Sequence, residues 1–261
     1  MRRILFGLLA VTIMAGCGAS PAPESGTAEP ERLRVEVAEV LPHDEEAFTQ
    51  GLELEGDTLY EGTGLVGRSS LRAGPLGQEP DVVVELPEPL FGEGITVTGP
   101  SVWQLTWQSG VAFERDPETL AERRRVEYAG EGWGLCHQEG RDRLVMSDGS
   151  ATLRFRDPAD FRETGSVTVT EGERSIDQLN ELECVGDDVY ANVWQTDEIL
   201  RIAADSGAVT ARIDASGLLT PAERQGADVL NGIAAIEGTD QFIVTGKLWP
   251  KMFRVNLVPA G

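Results

Sequence analysis

Short apolar runs separated by turn-forming residues recur from Leu33 to Val255, and most are too short or too strictly alternating to be helices. Leu33-Arg34-Val35-Glu36-Val37 alternates with a period of two, the mark of a half-buried strand. Within this pattern a step made of one polar or aromatic residue, one small residue and one aliphatic residue returns five times. The copies are Gln50-Gly51-Leu52, Glu93-Gly94-Ile95, Trp133-Gly134-Leu135, Asn180-Glu181-Leu182 and Asn231-Gly232-Ile233, spaced by 43, 40, 47 and 51 residues, with Glu in place of Gly in the fourth. That interval is the length of one four-stranded propeller blade.

Each step opens an apolar run that a turn joins to a second run, as in Val102-Trp103-Gln104-Leu105 after Gly99-Pro100 or Val189-Tyr190-Ala191-Asn192-Val193 after Gly186-Asp187. Antiparallel pairing then sets the start of the first strand beside the end of the second. The expected neighbours are Gln50 with Thr63, Glu93 with Trp107, Trp133 with Asp148, Asn180 with Trp194, and Asn231 with Lys247. Third and fourth strands follow in most units, with Asp116-Pro117 and Asp157-Pro158 at turns rather than inside strands. The last unit has only three strands, whereas Leu33 to Val37 is a spare strand ahead of the first step. An N-terminal strand that completes the last blade leaves no gap in the ring. The expected fold is therefore all-β: a five-bladed β-propeller over residues 32–261.

Composition adds the ends of the chain. Arg2 and Arg3 precede the apolar run Ile4 to Ile13 and then Met14-Ala15-Gly16-Cys17, the plan of an export signal over residues 1–16 with small residues before a cysteine. This resembles the bacterial lipoprotein signal, so Cys17 is the expected lipidated residue and residues 17–31, rich in Ala, Ser, Pro and Glu, a flexible tether. The expected location is the cell envelope, on the periplasmic side, with membrane contact only through that anchor. A net charge of −22 repels nucleic acid and anionic lipid. Cys136 lies three residues after Trp133 and Cys184 four after Asn180, and that difference in parity predicts opposite strand faces and hence two free, buried thiols.

First strands line the channel of a propeller, so the five steps converge at one mouth with three tryptophans, Glu93 and Lys247 among them, a pocket of the kind that takes small ligands. Other chemistries find little support. The two histidines, His43 and His137, have no metal-ligand spacing, no glycine-rich phosphate loop precedes a helix, and Ser69-Ser70 has no triad partners nearby. No metal and no cofactor are expected. His43, in Leu41-Pro42-His43-Asp44, reads as a residue that orders a loop.

Several motifs in order, including Pro42-His43-Asp44, Ala47-Phe48-Thr49-Gln50-Gly51-Leu52, Glu131-Gly132-Trp133-Gly134-Leu135, Leu179-Asn180-Glu181-Leu182-Glu183, Ala191-Asn192-Val193-Trp194 and Thr245-Gly246-Lys247-Leu248-Trp249-Pro250, resemble the plant and bacterial glutaminyl-peptide cyclotransferases, the glutaminyl cyclases. The resemblance runs from about Pro42 to Phe253. It implies a five-bladed propeller, unrelated to the zinc-dependent animal type, that converts the N-terminal glutamine of a peptide or protein to pyroglutamate and releases ammonia. It implies Glu93 as proton shuttle, Lys247 and Asn180 as stabilisers of the tetrahedral intermediate, and Gln50, Phe91, Trp107, Trp133 and Trp194 as the substrate pocket. A monomer is expected. Departures from the family pattern at Gly62, Val66 and Cys136 touch none of the implied catalytic groups. The alternative is a non-catalytic, envelope-anchored propeller that binds peptide N-termini or sugars in the same pocket.

Overall fold

The computed structural model describes residues 29–261. The export signal, Cys17 and the tether as far as residue 28 lie outside the described residues. Strand β1 (Glu31–Pro42) precedes five units. The first contains β2 (Thr49–Glu55), β3 (Thr58–Thr63), β4 (Ser70–Pro75) and β5 (Val82–Glu85), and the second β6 (Gly92–Val97), β7 (Val102–Thr106), β8 (Val111–Arg115) and β9 (Glu122–Glu127). The third contains β10 (Leu135–Gln138), β11 (Arg143–Met146), β12 (Thr152–Arg156) and β13 (Glu163–Thr168), and a small hairpin, β14 (Thr170–Glu171) with β15 (Arg174–Ser175), follows it. The fourth contains β16 (Leu179–Val185), β17 (Asp188–Val193), β18 (Glu198–Ala203) and β19 (Val209–Asp214), and the fifth β20 (Leu230–Ala235), β21 (Gln241–Gly246) and β22 (Lys251–Pro259).

The first strands β2, β6, β10, β16 and β20 pack side by side in that order, and β20 returns to β2, which closes the ring. Every residue of β6 is buried, whereas β9 on the rim of the same blade is almost wholly exposed. The cause is geometric: both faces of an inner strand meet neighbouring blades, so even Glu93 and Thr96 are withdrawn from water, while the outermost strand keeps its polar residues in it. Five apolar clusters fill the spaces between successive blades. Trp103, Leu105, Leu135, Leu144 and Met146, for example, join the second blade to the third. Each large aliphatic or aromatic side chain buried this way contributes about 1.5–3 kcal/mol.

As expected, β1 completes the last blade, pairing antiparallel with β22 from Leu33 opposite Pro259 to Pro42 opposite Lys251. Its first four residues also pair in parallel with β19, Glu31 opposite Ala211 through Arg34 opposite Asp214, so the fourth and fifth blades share one eight-stranded sheet. The parallel pairing covers two edges that would otherwise be open.

Cys136 and Cys184 form a disulfide, which corrects the expectation of free thiols. The parity observation was sound but its inference was reversed. Two strands in adjacent blades meet through opposite faces, one looking forward around the ring and the other back, so opposite parity is what brings the two sulfurs together. Both cysteines sit in the apolar cluster between the third and fourth blades.

Candidate active site

Four of the five steps fall on a break in strand register, and the third, Trp133-Gly134-Leu135, opens a regular ladder. Glu93 and Gly94 lie between the pairs Gly92–Thr106 and Ile95–Gln104, Asn180 and Glu181 between Leu179–Val193 and Leu182–Ala191, and Asn231 and Gly232 between Leu230–Gly246 and Ile233–Val244. In the first blade Gln50 has the same place, between Thr49–Thr63 and Gly51–Gly62. A bulge of this kind re-aims a side chain. It also moves the expected partners: Trp107 N donates to Phe91 O, Trp194 N to Gln178 O and Lys247 N to Val229 O, each upstream of the step. In the third blade Trp133 N donates to Ser147 O rather than facing Asp148.

The glycines of the steps serve the ring. A Cβ on Gly94 would meet Trp133 O at 2.5 Å, and one on Gly134 would meet Asn180 O at 2.1 Å. Gly94 N donates to Trp133 O at 2.7 Å across the blade boundary. The room around Glu93 is thus taken by neighbouring backbone on the Gly94 side. In the fourth blade Glu181 replaces glycine, and its carboxylate accepts Leu52 N at 3.2 Å and Ile233 N at 2.8 Å, joining three blades across the axis.

The mouth holds a cavity of about 400 Å³. Glu93, Lys247, Asn180 and Gln50 supply its polar groups, and Phe91, Trp107, Trp133 and Trp194 its aromatic walls, so all eight residues expected there converge. Asn231 does not join them: it is fully buried, and its Nδ2 donates to Thr49 O at 3.0 Å and to Gln50 Oε1 at 3.4 Å. Thereby Gln50 is oriented to donate from Nε2 to Glu93 Oε1 at 3.0 Å. The other carboxyl oxygen, Glu93 Oε2, is buried without a hydrogen-bond partner among the described residues, as is Asn180 Oδ1.

Burial pushes Glu93 well above the usual carboxylate range; the charge of Lys247 draws it back and that of Glu131 adds to the rise. Burial likewise draws Lys247 below the ordinary lysine value, against the charges of Glu93 and Asp228. The Lys247 ammonium lies 4.9 Å from the centre of the Phe48 ring. Glu131 fixes two walls at once, since Oε2 accepts the indole N–H of Trp107 at 2.8 Å and of Trp133 at 3.0 Å. Trp133 stands edge-on to Trp194 with ring centres 5.6 Å apart, and Phe91 packs on Trp107 at the same spacing. Gly149, at φ 78, leaves the space that the Trp133 ring occupies.

The comparisons with known proteins agree with this geometry. The glutamine cyclotransferase family matches residues 8–257. The chain belongs to that family. Among its members, the glutaminyl-peptide cyclotransferase of Arabidopsis thaliana is 39% identical over 233 residues, which span 87% of this chain and 72% of that protein. The crystal structure of Myxococcus xanthus glutaminyl cyclase superimposes with a TM-score of 0.80 at 36% identity, covering 89% of this chain and all of that one.

Phe48, Gln195, Asp228 and Val229 also line the cavity of this cyclotransferase-family chain and were not singled out from sequence. Gln195 follows Trp194 at a positive φ of 64, a bend that no glycine announces. Glu131 does carry a sequence signal, because it stands two residues before Trp133 in the motif Glu131-Gly132-Trp133-Gly134-Leu135.

Proposed function

We propose that the chain is a glutaminyl-peptide cyclotransferase that closes the N-terminal glutamine of peptides and proteins to pyroglutamate and releases ammonia, an acyl transfer of the aminoacyl type. One observation carries the reading: the free oxygen of the buried Glu93 and the unpartnered amide oxygen of Asn180 belong to the same cavity as the Lys247 ammonium.

The α-amine nitrogen bonds to the side-chain carbonyl carbon of its own residue, giving a five-membered ring and a tetrahedral centre whose oxygen carries negative charge. The bond from that carbon to the amide nitrogen then breaks and ammonia leaves. Because both groups belong to one residue, the pocket has chiefly to hold the side chain folded back, a task for the walls of Trp107, Trp133 and Trp194. Glu93 takes the proton from the attacking amine and delivers it to the departing nitrogen. A carboxyl raised by burial and restrained by Lys247 has the balance of acidity that both transfers require. Lys247 and the Asn180 amide stabilise the oxyanion.

Ammonia release from a Gln-initiated dipeptide, with an Asn-initiated dipeptide as control, tests the proposal. Release from the first alone supports it; binding of both without release identifies a non-catalytic propeller. The reading extends to the N-terminal segment: the export signal and Cys17 support a lipid-anchored enzyme in the cell envelope, and metabolic labelling with a fatty acid that fails to mark the protein would overturn the anchor.

A further inference from the structure

His43 is almost wholly buried, with 2% of its side chain exposed, yet it lines no part of the cavity that holds Glu93. Its Nδ1 lies 2.7 Å from Trp249 O and 3.4 Å from the Thr245 hydroxyl, which donates its own proton to Lys251 O. Its Nε2 lies 3.0 Å from Glu61 Oε1. Glu61 also accepts from the Thr49 hydroxyl at 2.6 Å and, through Oε2, from Arg72 Nε and a second Arg72 nitrogen at 2.9 and 2.7 Å. All partners of the ring are therefore acceptors, and both ring nitrogens must donate, which only the imidazolium does.

The two things this ring joins are the two sides of the candidate site. Trp249 stands two residues after Lys247 in the turn between β21 and β22, a turn also held by Leu248 N on Ala47 O and His43 N on Pro250 O. Thr49 stands one residue before Gln50, which holds Glu93. Resting on the cyclotransferase reading, we propose that His43 is a positioning residue: as a doubly donating bolt it ties the turn that carries Lys247 to the strand that carries Gln50.

The electrostatic surroundings agree. Burial opposes the charged ring, but the charge and hydrogen bond of Glu61 together with the Trp249 carbonyl outweigh it, and the net direction for His43 is upward. Glu61 is held down at about 2: burial opposes this most strongly, but His43, Arg72 and Thr49 together outweigh it. Arg72, behind Glu61 and paired also with Asp44 at 2.7 Å, is the one cation that opposes the ring. From β21 and the turn, only the Trp249 carbonyl and the Thr245 hydroxyl face it.

The chain has only two histidines and two lysines, Lys247 and Lys251, so both ends of the bolt can be read one residue at a time. Nitrogen-15 NMR of the intact protein at pH 7.5 should show His43 protonated at both nitrogens, and a neutral ring there overturns the proposal. In His43→Gln, kcat should fall ~10- to 100-fold with KM within about threefold, the scale of a displaced catalytic group. Amine labelling followed by mass spectrometry should show Lys247 reacting faster, relative to Lys251, than in the unaltered protein. A folded His43→Gln with unaltered kcat and unaltered Lys247 labelling overturns the proposal, as does a loss confined to KM. If the unaltered protein releases no ammonia, the cyclotransferase reading fails, while the NMR and labelling results still decide the role of His43.

Discussion

Glu93 and Glu181 are both buried carboxyls at the bulged start of an inner strand, and burial pushes both upward, yet they are in opposite situations. On the axis, both oxygens of Glu181 are taken by backbone N–H groups from two other blades. At the mouth, Glu93 has one oxygen held by Gln50 and the other open. Burial alone, then, does not separate a reactive carboxyl from a structural one. The distinction lies in what remains unsatisfied, since a buried polar atom without a partner is costly and persists where a ligand will meet it. Glu61 makes a third case, buried but held down at about 2 by His43 and Arg72, and so unsuited to carry a proton near neutrality.

The largest expected effect breaks the comparison at Glu93. Glu93→Gln keeps the acceptor for Gln50 and should lower turnover by about 10²- to 10⁴-fold in the ammonia assay. The same variant should melt no lower than the parent at pH 8. A carboxyl raised by folding retains a proton that the unfolded chain loses, so its contribution becomes more unfavourable as pH rises from the ordinary value toward the folded one, and Gln removes that contribution. Retained turnover would remove Glu93 from the mechanism. Next, Lys247→Met should depress kcat by about 10²- to 10³-fold, the scale of a lost oxyanion contact, with a smaller change in KM. A pure affinity loss would show that Lys247 only binds.

Glu181→Gly sharpens the other side. It restores the residue of the other four repeats, yet it leaves Leu52 N and Ile233 N without their acceptor, at about 1–3 kcal/mol each. Denaturant unfolding should show that loss while kcat per folded molecule changes little. Equal stability would mean that the axial carboxylate is dispensable. The smallest effect is expected for Trp133→Phe, which removes one indole N–H from Glu131 while keeping an aromatic wall. KM should rise a few-fold, about 1 kcal/mol, the worth of one hydrogen bond. An unchanged KM would leave Trp107 as the only wall that needs Glu131.

Much of this was legible along the chain because blades repeat. The five steps, the closing role of β1 and seven of the convergent cavity residues follow from spacing and turn chemistry, whereas Phe91 is expected in the pocket only from the family resemblance, and Asn231, Thr63 and Asp148, equally expected from spacing, do not line it. What escaped depends on relations between blades. The bulge at four of the five steps shifts partners by one or two positions without any marker residue. The pairing of Cys136 with Cys184 requires knowing that adjacent strands oppose their faces rather than share them. Parallel pairing of β1 with β19 joins residues far apart in sequence through backbone groups that carry no side-chain signature. His43 was read as ordering a loop, and it does; its link through Glu61 to Thr49 depends on contacts that only the folded ring creates.

The double pairing of β1 also makes the molecule a clasp fastened by its own history. Val35 faces Leu257, so the segment made early must wait, unpaired along its β22 edge, until almost the whole propeller has been made. Thermodynamically the wait costs little, because closure entropy grows only with the logarithm of loop length. Kinetically it delays closure of the fifth blade, and leaves the β22 edge of β1 open on any chain whose synthesis stops short of Lys251. A fragment ending before Lys251 would keep four complete blades and a β1 held only through Glu31 to Arg34 on β19, its longer edge unfastened and apt to pair with another copy of itself.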